Sequence, residues 1–246
     1  LHVAYRLAEL AVMAVAGFYV TLLTPYWPVG AAILGITSGR CGWFMHEAGH
    51  YSLTGHIPLD RFLQVVTYGI GSGMSACYWR NQHNKHHATP QKVDHDTDLQ
   101  TLPLVAFNKT VLSGARLPKA VRAYWIGLQA YLFAPVTCLV VTLGWQFYQH
   151  PRHSFRVGAY GELACYAFRY AAWYGIFSHF GWSVAAMMGA YVAVNYVGGM
   201  YIFTNFAVSH THLGVSAAED KGVTWIEYAS DYTINCSNHW MVNWWM

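Results

Sequence analysis

Residues 10–50 read LAVMAVAGFYVTLLTPYWPVGAAILGITSGRCGWFMHEAGH, and this stretch decides the fold. It contains two apolar runs, Leu10 to Leu23 and Trp27 to Phe44, joined by the sequence TPYWP. Proline interrupts helices, and the first run extends back toward Val3, so each run approaches the ~20 residues that span a bilayer. The stretch therefore predicts a helical hairpin whose second arm ends on a polar, histidine-containing sequence.

The composition of the chain is that of a membrane protein. Hydrophobic residues make up 55% of the 246 residues, charged residues only 10%, and the mean hydropathy is +0.23. Soluble domains average about 25% charged residues. The 11 Trp and 18 Tyr suit the two membrane interfaces. The net charge of only +3, without a basic stripe, argues against nucleic acid as a partner.

The rest of the chain contains four further apolar segments: Phe62 to Trp79, Tyr124 to Tyr148, Leu163 to Phe180 and Trp182 to Val208. The first is rich in glycine, which predicts a helix lying in the membrane interface. Arg169 and His179 interrupt the third, and charge at bilayer depth is costly, so we expect that segment not to cross. The predicted fold class is all-α integral membrane, with about four transmembrane helices plus interfacial helices.

The polar stretch from Arg80 to Arg122 sets the predicted orientation. It holds seven of the 14 Lys and Arg residues. Loops rich in these residues stay in the cytosol, so we expect this stretch, together with His46 and His50, to face the cytosol. If His210 lies on the same side, an even number of crossings must separate it from His87.

Two histidine clusters follow apolar stretches: HEAGH at 46–50 and HNKHH at 83–87. His46 and His50 are four residues apart, which places both rings on one face of a helix and suits a shared metal. The same residues match the zinc protease pattern HExxH, in which Glu47 would be the general base. Taken alone, the first cluster also fits two polar residues at a helix end.

The second cluster favours a site with more than one metal. Histidine-rich short tracts are typical of metal binding. A zinc protease needs only three protein ligands and one open position, whereas the two clusters together supply five histidines. Imidazole ligands for two metals suit non-haem iron, which activates O2. The apolar surroundings then predict oxidation of a C–H bond in a lipid chain.

The two clusters and the residues that follow them resemble membrane fatty acid desaturases. The matching stretches are HEAGH at 46–50, QHNKHH at 82–87, ATPQK at 88–92 and DHDTDL at 94–99. The second cluster with its tail is the specific part of the match. The similarity is greatest to the front-end (Δ5/Δ6-type) group of polyunsaturated fatty acid desaturases and extends from Phe44 to Trp245.

This resemblance implies a cytosolic histidine-box cap that holds a di-iron centre of two Fe ions. It implies O2 as oxidant, and electrons from cytochrome b5 and its NADH-dependent reductase. The product would carry a new cis double bond between the carboxyl end and an existing double bond of an acyl chain, bound to CoA or to a phospholipid. The implied membrane is the endoplasmic reticulum. By position, the implied iron ligands are His46, His50, His83, His86, His87 and His210.

The family pattern also includes parts that this sequence does not contain. A third histidine box would lie just beyond Trp245, and a cytochrome b5 domain would precede Leu1. We therefore expect residues 1–246 to be one membrane desaturase domain, truncated at both ends.

Several other polar residues carry weaker expectations. Asp94, Asp96 and Asp98 alternate with other residues and are predicted to form a solvated acidic loop. Residues that could join or support the metal ligands are His212, Asn235 and His239.

Three alternative functions stay open at this point. A fatty acid hydroxylase or acetylenase would use the same scaffold. An intramembrane zinc metalloprotease would use His46, Glu47 and His50. A non-catalytic metal transporter would carry its ligands at mid-membrane depth, whereas these clusters follow the ends of apolar runs.

The predicted orientation can be tested by glycosylation mapping. The sequon at Asn108 lies in the basic stretch and should stay bare, because glycans are added in the lumen. An acceptor engineered near Pro25 should be modified, provided that it stands far enough from the membrane. A mobility shift on glycosidase treatment reports both sites. A glycan on Asn108 would invert the predicted topology.

Overall fold

The computed structural model describes residues 1–209, 213–216, 224–233 and 239–245. Within these ranges the chain is helical and forms no strand, and its single sheet-like pairing is a parallel bridge between Lys92 and Ser216. The all-α class is therefore confirmed. The chain divides into two compact units. One comprises Leu1–Trp79 and Thr137–Ile202, and the other Arg80–Val136 and Phe203–Met246.

The described residues form helices of different lengths. In chain order they are α1 (His2–Leu23), α2 (Trp27–Gly49), α3 (Ile57–Val66), α4 (Ala76–Ala88), α5 (Lys109–Gly114), α6 (Gln129–Leu139), α7 (His150–Arg156), α8 (Tyr160–His179), α9 (Val184–Ser209), α10 (Trp225–Asp231) and α11 (Trp240–Trp245). Segments of π-helix cover Thr67–Ser72, Val121–Ile126 and Val140–Gln149. The last of these joins α6 to α7 and makes one helix of 28 residues.

The hairpin predicted at the start of the chain is formed by α1 and α2. Pro28 lies in the first turn of α2, where a missing N–H leaves no helical hydrogen bond unmade. The two helices approach closely, since a Cβ added at Gly30 would lie 2.2 Å from Oγ1 of Thr21. Only glycine fits at that position, so the hairpin packing depends on it.

A charged pair stabilises the same hairpin. Arg40 is buried within α2, and its Nη2 donates hydrogen bonds of 2.9 Å to both carboxylate oxygens of Glu9 on α1. Removing one partner of a buried pair leaves an uncompensated charge, which costs about 3–5 kcal/mol. The pair therefore explains how an arginine is accommodated in an apolar helix.

Arg169, which interrupts the apolar segment of α8, also has identifiable partners. Its Nη1 donates hydrogen bonds of 2.6 and 2.7 Å to the carbonyl oxygens of Ile70 and Gly71 in the π-helical segment after α3. Those carbonyls supply the partners that a charge needs in apolar surroundings. Arg169 thus connects α8 to this segment.

The single interfacial helix predicted over residues 62–79 is wrong. The structure places three elements there: α3, the π-helical segment Thr67–Ser72 and the start of α4. Gly73 has φ +69°, a left-handed conformation that ends a helix and favours glycine. Of the glycines in this segment, Gly73 marks the break between the π-helical segment and α4.

Three helices of the described residues are long and apolar enough to cross a membrane, namely His2–Leu23, Gln129–Arg156 and Val184–Asn205. Two of these candidates lie between His87 and His210 in the sequence, and the orientation of the histidine clusters stays a prediction. α2 and α8 are of similar length but fall short of them in mean hydropathy. The total of about four spanning helices stays a prediction.

Candidate metal centre

The first histidine cluster lies at the C-terminal end of α2, in the unit that contains Leu1–Trp79. His46 and His50 are one helical turn apart, and their ring centroids are separated by 4.6 Å. The side-by-side placement expected from their spacing is therefore present. Trp79 of α4 packs edge-on against both rings, at centroid distances of 5.3 and 5.9 Å.

Gly49, inside the HEAGH sequence, permits this contact. A Cβ at Gly49 would lie 2.3 Å from the Trp79 ring and 2.5 Å from Nε2 of Gln64. Both distances are far below van der Waals contact, and the indole ring cannot move away without leaving the histidines. The glycine is therefore needed for the indole to lie beside the first cluster.

The surroundings of the first cluster favour a neutral His50. Its partial burial, and to a lesser extent the neighbouring His46, lower the pKa of His50. A neutral imidazole is the form that binds metal. Glu47 Oε1 lies 3.5 Å from His46 Nδ1, and Ser52 Oγ donates to the other oxygen at 3.2 Å. The interaction with His46 holds the pKa of Glu47 below its usual value.

The second cluster lies on α4, in the unit that begins at Arg80. His83 and His86 are buried, whereas His87 is exposed. The Nε2 atoms of His83 and His87 are 2.9 Å apart. Two nitrogens bound at right angles to one metal, each about 2.1 Å from it, are separated by about 3 Å. This pair therefore already has a spacing that suits adjacent ligands of one ion.

His86 is held by a buried carboxylate. Its Nδ1 lies 2.8 Å from Asp96 Oδ1 and 3.6 Å from Asp98 Oδ2. Burial alone would lower the pKa of His86, but the hydrogen bond to Asp96 and the two nearby carboxylates outweigh it and raise that pKa. Because Asp96 takes Nδ1, a metal would have to bind this ring through Nε2. Carboxylates orient metal-binding histidines in this way in many proteins.

The loop after α4 is built around the same carboxylate. Asp96 is fully buried and accepts hydrogen bonds from the backbone N–H groups of Gln91, at 2.7 Å, and Asp98, at 2.9 Å. The prediction of a solvated acidic loop is therefore wrong for Asp96, although Asp94 is exposed. Burial also raises the pKa of Asp98 to about 6, while the nearby His86 opposes that shift.

The remaining candidate residues are outside these two clusters. His210, His212 and Asn235 lie outside the described residues. His239 is exposed, and its Nδ1 accepts a hydrogen bond of 3.4 Å from the backbone N–H of Met241. Its predicted supporting role at the metal site stays a prediction.

Sequence reasoning missed the contributions of Asp96, Trp79 and Gly49. The alternating aspartates after the second cluster were a usable signal, because a carboxylate close to a histidine cluster can orient a ring. The roles of Trp79 and Gly49 depend on a contact between α2 and α4, and no local pattern announces such a contact.

Comparison with known proteins defines the class of the chain. The fatty acid desaturase family model matches residues 23–246, so the chain belongs to the fatty acid desaturase family. It is 52% identical over its whole length to an acyl-lipid (8-3)-desaturase of Rebecca salina, and 45% identical to one of a Thraustochytrium species. A more distant relative is an acyl-lipid (9-3)-desaturase of Borago officinalis, 24% identical over 83% of the chain and 48% of the relative.

The chain spans 56% of the length of the two most similar of these relatives. No solved structure matches it. The family assignment confirms the resemblance drawn from the two histidine clusters.

The buried position of Asp96 predicts a contrast between two neighbouring aspartates. An Asp96→Asn side chain keeps one acceptor oxygen, but its amide nitrogen must then face an N–H donor. The expected loss of stability is about 1–3 kcal/mol. Asp94 is exposed and has a left-handed backbone (φ +67°), which asparagine also tolerates. Asp94→Asn should therefore leave the stability unchanged.

Thermal melting of both purified variants in detergent measures this contrast. Equal melting temperatures for the two variants would mean that the Asp96 hydrogen bonds do not stabilise the loop.

Proposed function

We propose that this chain is the membrane domain of a front-end acyl-lipid desaturase. It would insert a cis double bond between the carboxyl end and an existing double bond of a polyunsaturated acyl chain. The observation that carries the proposal is the pairing of histidines within each cluster of a desaturase-family chain: His46 with His50, and His83 with His87.

The donor set of the two clusters fits iron. We propose that His46, His50, His83, His86, His87 and His210 hold the di-iron centre. The fit is supported by the 2.9 Å spacing of two Nε2 atoms and by the carboxylate on Nδ1 of His86. Imidazole nitrogen is a suitable ligand for iron. When bound, the iron pair would supply the activation of O2 that removes hydrogen from two adjacent carbons.

The residues of the proposed metal site then have different roles. His83 and His87 would bind through their Nε2 atoms, which lie 2.9 Å apart. Asp96 holds the proton of His86 on Nδ1 and keeps that ring in one orientation, which also raises its basicity as a ligand. Glu47 supports His46 from the side of Nδ1. The lowered pKa of His50 favours its neutral form, which is the form that binds a metal.

The substrate class is proposed from the relatives. Two of them are named acyl-lipid (8-3)-desaturases. We therefore propose an acyl chain esterified in a lipid, with an existing double bond at carbon 8 and a new one at carbon 5. Electrons would come from cytochrome b5 and its NADH-dependent reductase. The basic stretch from Arg80 to Arg122 would face the cytosol at the endoplasmic reticulum.

Expression of the full-length gene in yeast tests the activity. Cells are fed C20 polyunsaturated acids with or without a double bond at carbon 8, and products are located by gas chromatography with mass spectrometry. We expect a new bond at carbon 5 in phospholipid-bound acids that carry the carbon-8 bond. His86→Ala should abolish the product, since losing a ligand removes the oxidant.

The exposed His95→Ala is the matched control, because it removes a histidine from the loop that follows α4 and should retain activity. Iron analysis of the purified protein should give two irons per chain. Near-native activity of His86→Ala would contradict the ligand assignment. A hydroxylated or acetylenic product would favour the alternative enzymes on this scaffold.

Replacing Glu47 separates the desaturase from a zinc protease. In a protease Glu47 would be the general base, and Glu47→Gln would lower activity by several orders of magnitude. As a support for His46, its replacement should lower desaturation about 10–100-fold or less. Product formation and metal content are measured together. Complete loss of activity with both irons retained would argue against the supporting role.

A further inference from the structure

A buried carboxylate lies outside the two histidine clusters, on α8. Glu162 is 4% exposed, and in the described part of the chain no ion pair includes it. It accepts hydrogen bonds from Ser75 Oγ (2.5 Å), Ser154 Oγ (2.7 Å) and the backbone N–H of Cys77 (2.8 Å). Burying a carboxylate is costly unless such donors surround it.

Most of these donors belong to the first turn of α4. Ser75 Oγ also accepts from the backbone N–H of Tyr78 at 3.0 Å, which makes Ser75 the N-cap of this helix. The backbone N–H of Ser75 donates to Nδ1 of the buried His150 at 2.8 Å. The N–H groups at a buried helix start need such partners, and negative charge there is favourable.

The arrangement resembles a capping box with one part supplied from a distance. In the usual box, a Ser or Thr N-cap is paired with a Glu three residues later. Here that position is occupied by Tyr78, and the N-cap backbone N–H of Ser75 donates to His150 instead. Glu162, 87 residues away from Ser75, accepts from the Ser75 hydroxyl and from the backbone N–H of Cys77. The start of α4 is thereby held by α8 and by His150 rather than by its own sequence.

The same helix carries the second histidine cluster. His83 lies eight residues after Ser75, about 12 Å along a helix axis. An α-helix is stiff over that length, so a shift or rotation of its first turn moves every later side chain. Trp79, in the first turns of α4, also contacts His46 and His50. The position of this turn therefore matters for both clusters.

From these contacts we infer that Glu162 is a positioning residue of the metal site. By fixing the first turn of α4, it sets the direction in which His83, His86 and His87 are presented. This inference rests on the proposed function, because only a metal-binding role for those histidines gives their direction a chemical consequence.

The test uses the full-length protein, purified in detergent, with two readouts. Hydrogen exchange by mass spectrometry reports the protection of residues 75–88 without any need for iron. Iron retention against a chelator series reports the metal site. We expect Glu162→Ala to increase exchange in α4 and to lower iron retention about 10–100-fold. Added Fe(II) should restore iron to Glu162→Ala but not to His83→Ala, which lacks a ligand.

Glu227→Ala is the matched control. Glu227 also accepts from a helix N-cap, Thr224, but at the start of α10, which carries no histidine. This variant should match the wild type in both readouts. If Glu162→Ala does not fold, Glu162→Gln and Ser75→Ala remove parts of the same network, and each should show a smaller loss in the same direction.

The outcomes separate the inference from the proposed function. Unchanged exchange in α4 on replacement of Glu162 overturns the inference, whatever the iron content. Increased exchange with wild-type iron retention overturns it as well, because the anchored turn would then not position the ligands. If the wild-type protein binds no iron while Glu162→Ala still increases exchange in α4, the proposed function is overturned. Glu162 then only stabilises the first turn of α4.

Discussion

In this apolar chain the buried polar side chains need partners, and three such pairings connect the helices of the first unit. Arg40 pairs with Glu9 between α2 and α1. Arg169 of α8 binds two backbone carbonyls of the segment after α3. Glu162, also of α8, binds the start of α4. Each pairing avoids the cost of an unsatisfied buried group, which exceeds what most apolar contacts contribute. The helix that carries the second histidine cluster is thus held by polar contacts at its beginning.

Local patterns predicted the parts of the fold that depend on neighbouring residues. The two apolar runs around TPYWP predicted the α1–α2 hairpin, and the spacing of His46 and His50 predicted rings on one helix face. Both follow from helical periodicity. The break at Gly73 was not predicted, because a glycine within an apolar segment is compatible with a weak helix as well as with a left-handed turn. Apolarity alone did not choose between these two conformations.

The supporting residues of the site could not be predicted in the same way, since they act over long sequence separations. Asp96 looked like part of a solvated loop, yet the N–H groups of the loop surround its carboxylate and His86 completes the set. Glu162 directly precedes the apolar segment that begins at Leu163, and nothing in that local sequence indicates a partner. Its role depends on Ser75, 87 residues earlier in the chain. Charge and hydropathy patterns indicate which polar residues are unusual, but not which partners they find.

Asp96 and Glu162 affect the second cluster in different ways, one through a single ring and the other through the whole helix. Asp96 acts on one ring: it holds a single nitrogen of His86 and so decides which nitrogen can face a metal. Glu162 acts on the whole helix, because the first turn that it holds precedes all three histidines. The helix itself then supplies the spacing of His83 and His87, whose Nε2 atoms lie 2.9 Å apart. In the proposed site, the spacing of the histidines comes from helical geometry, the ring orientation of His86 from Asp96 and the helix direction from Glu162. Each property of that site then depends on a different part of the chain.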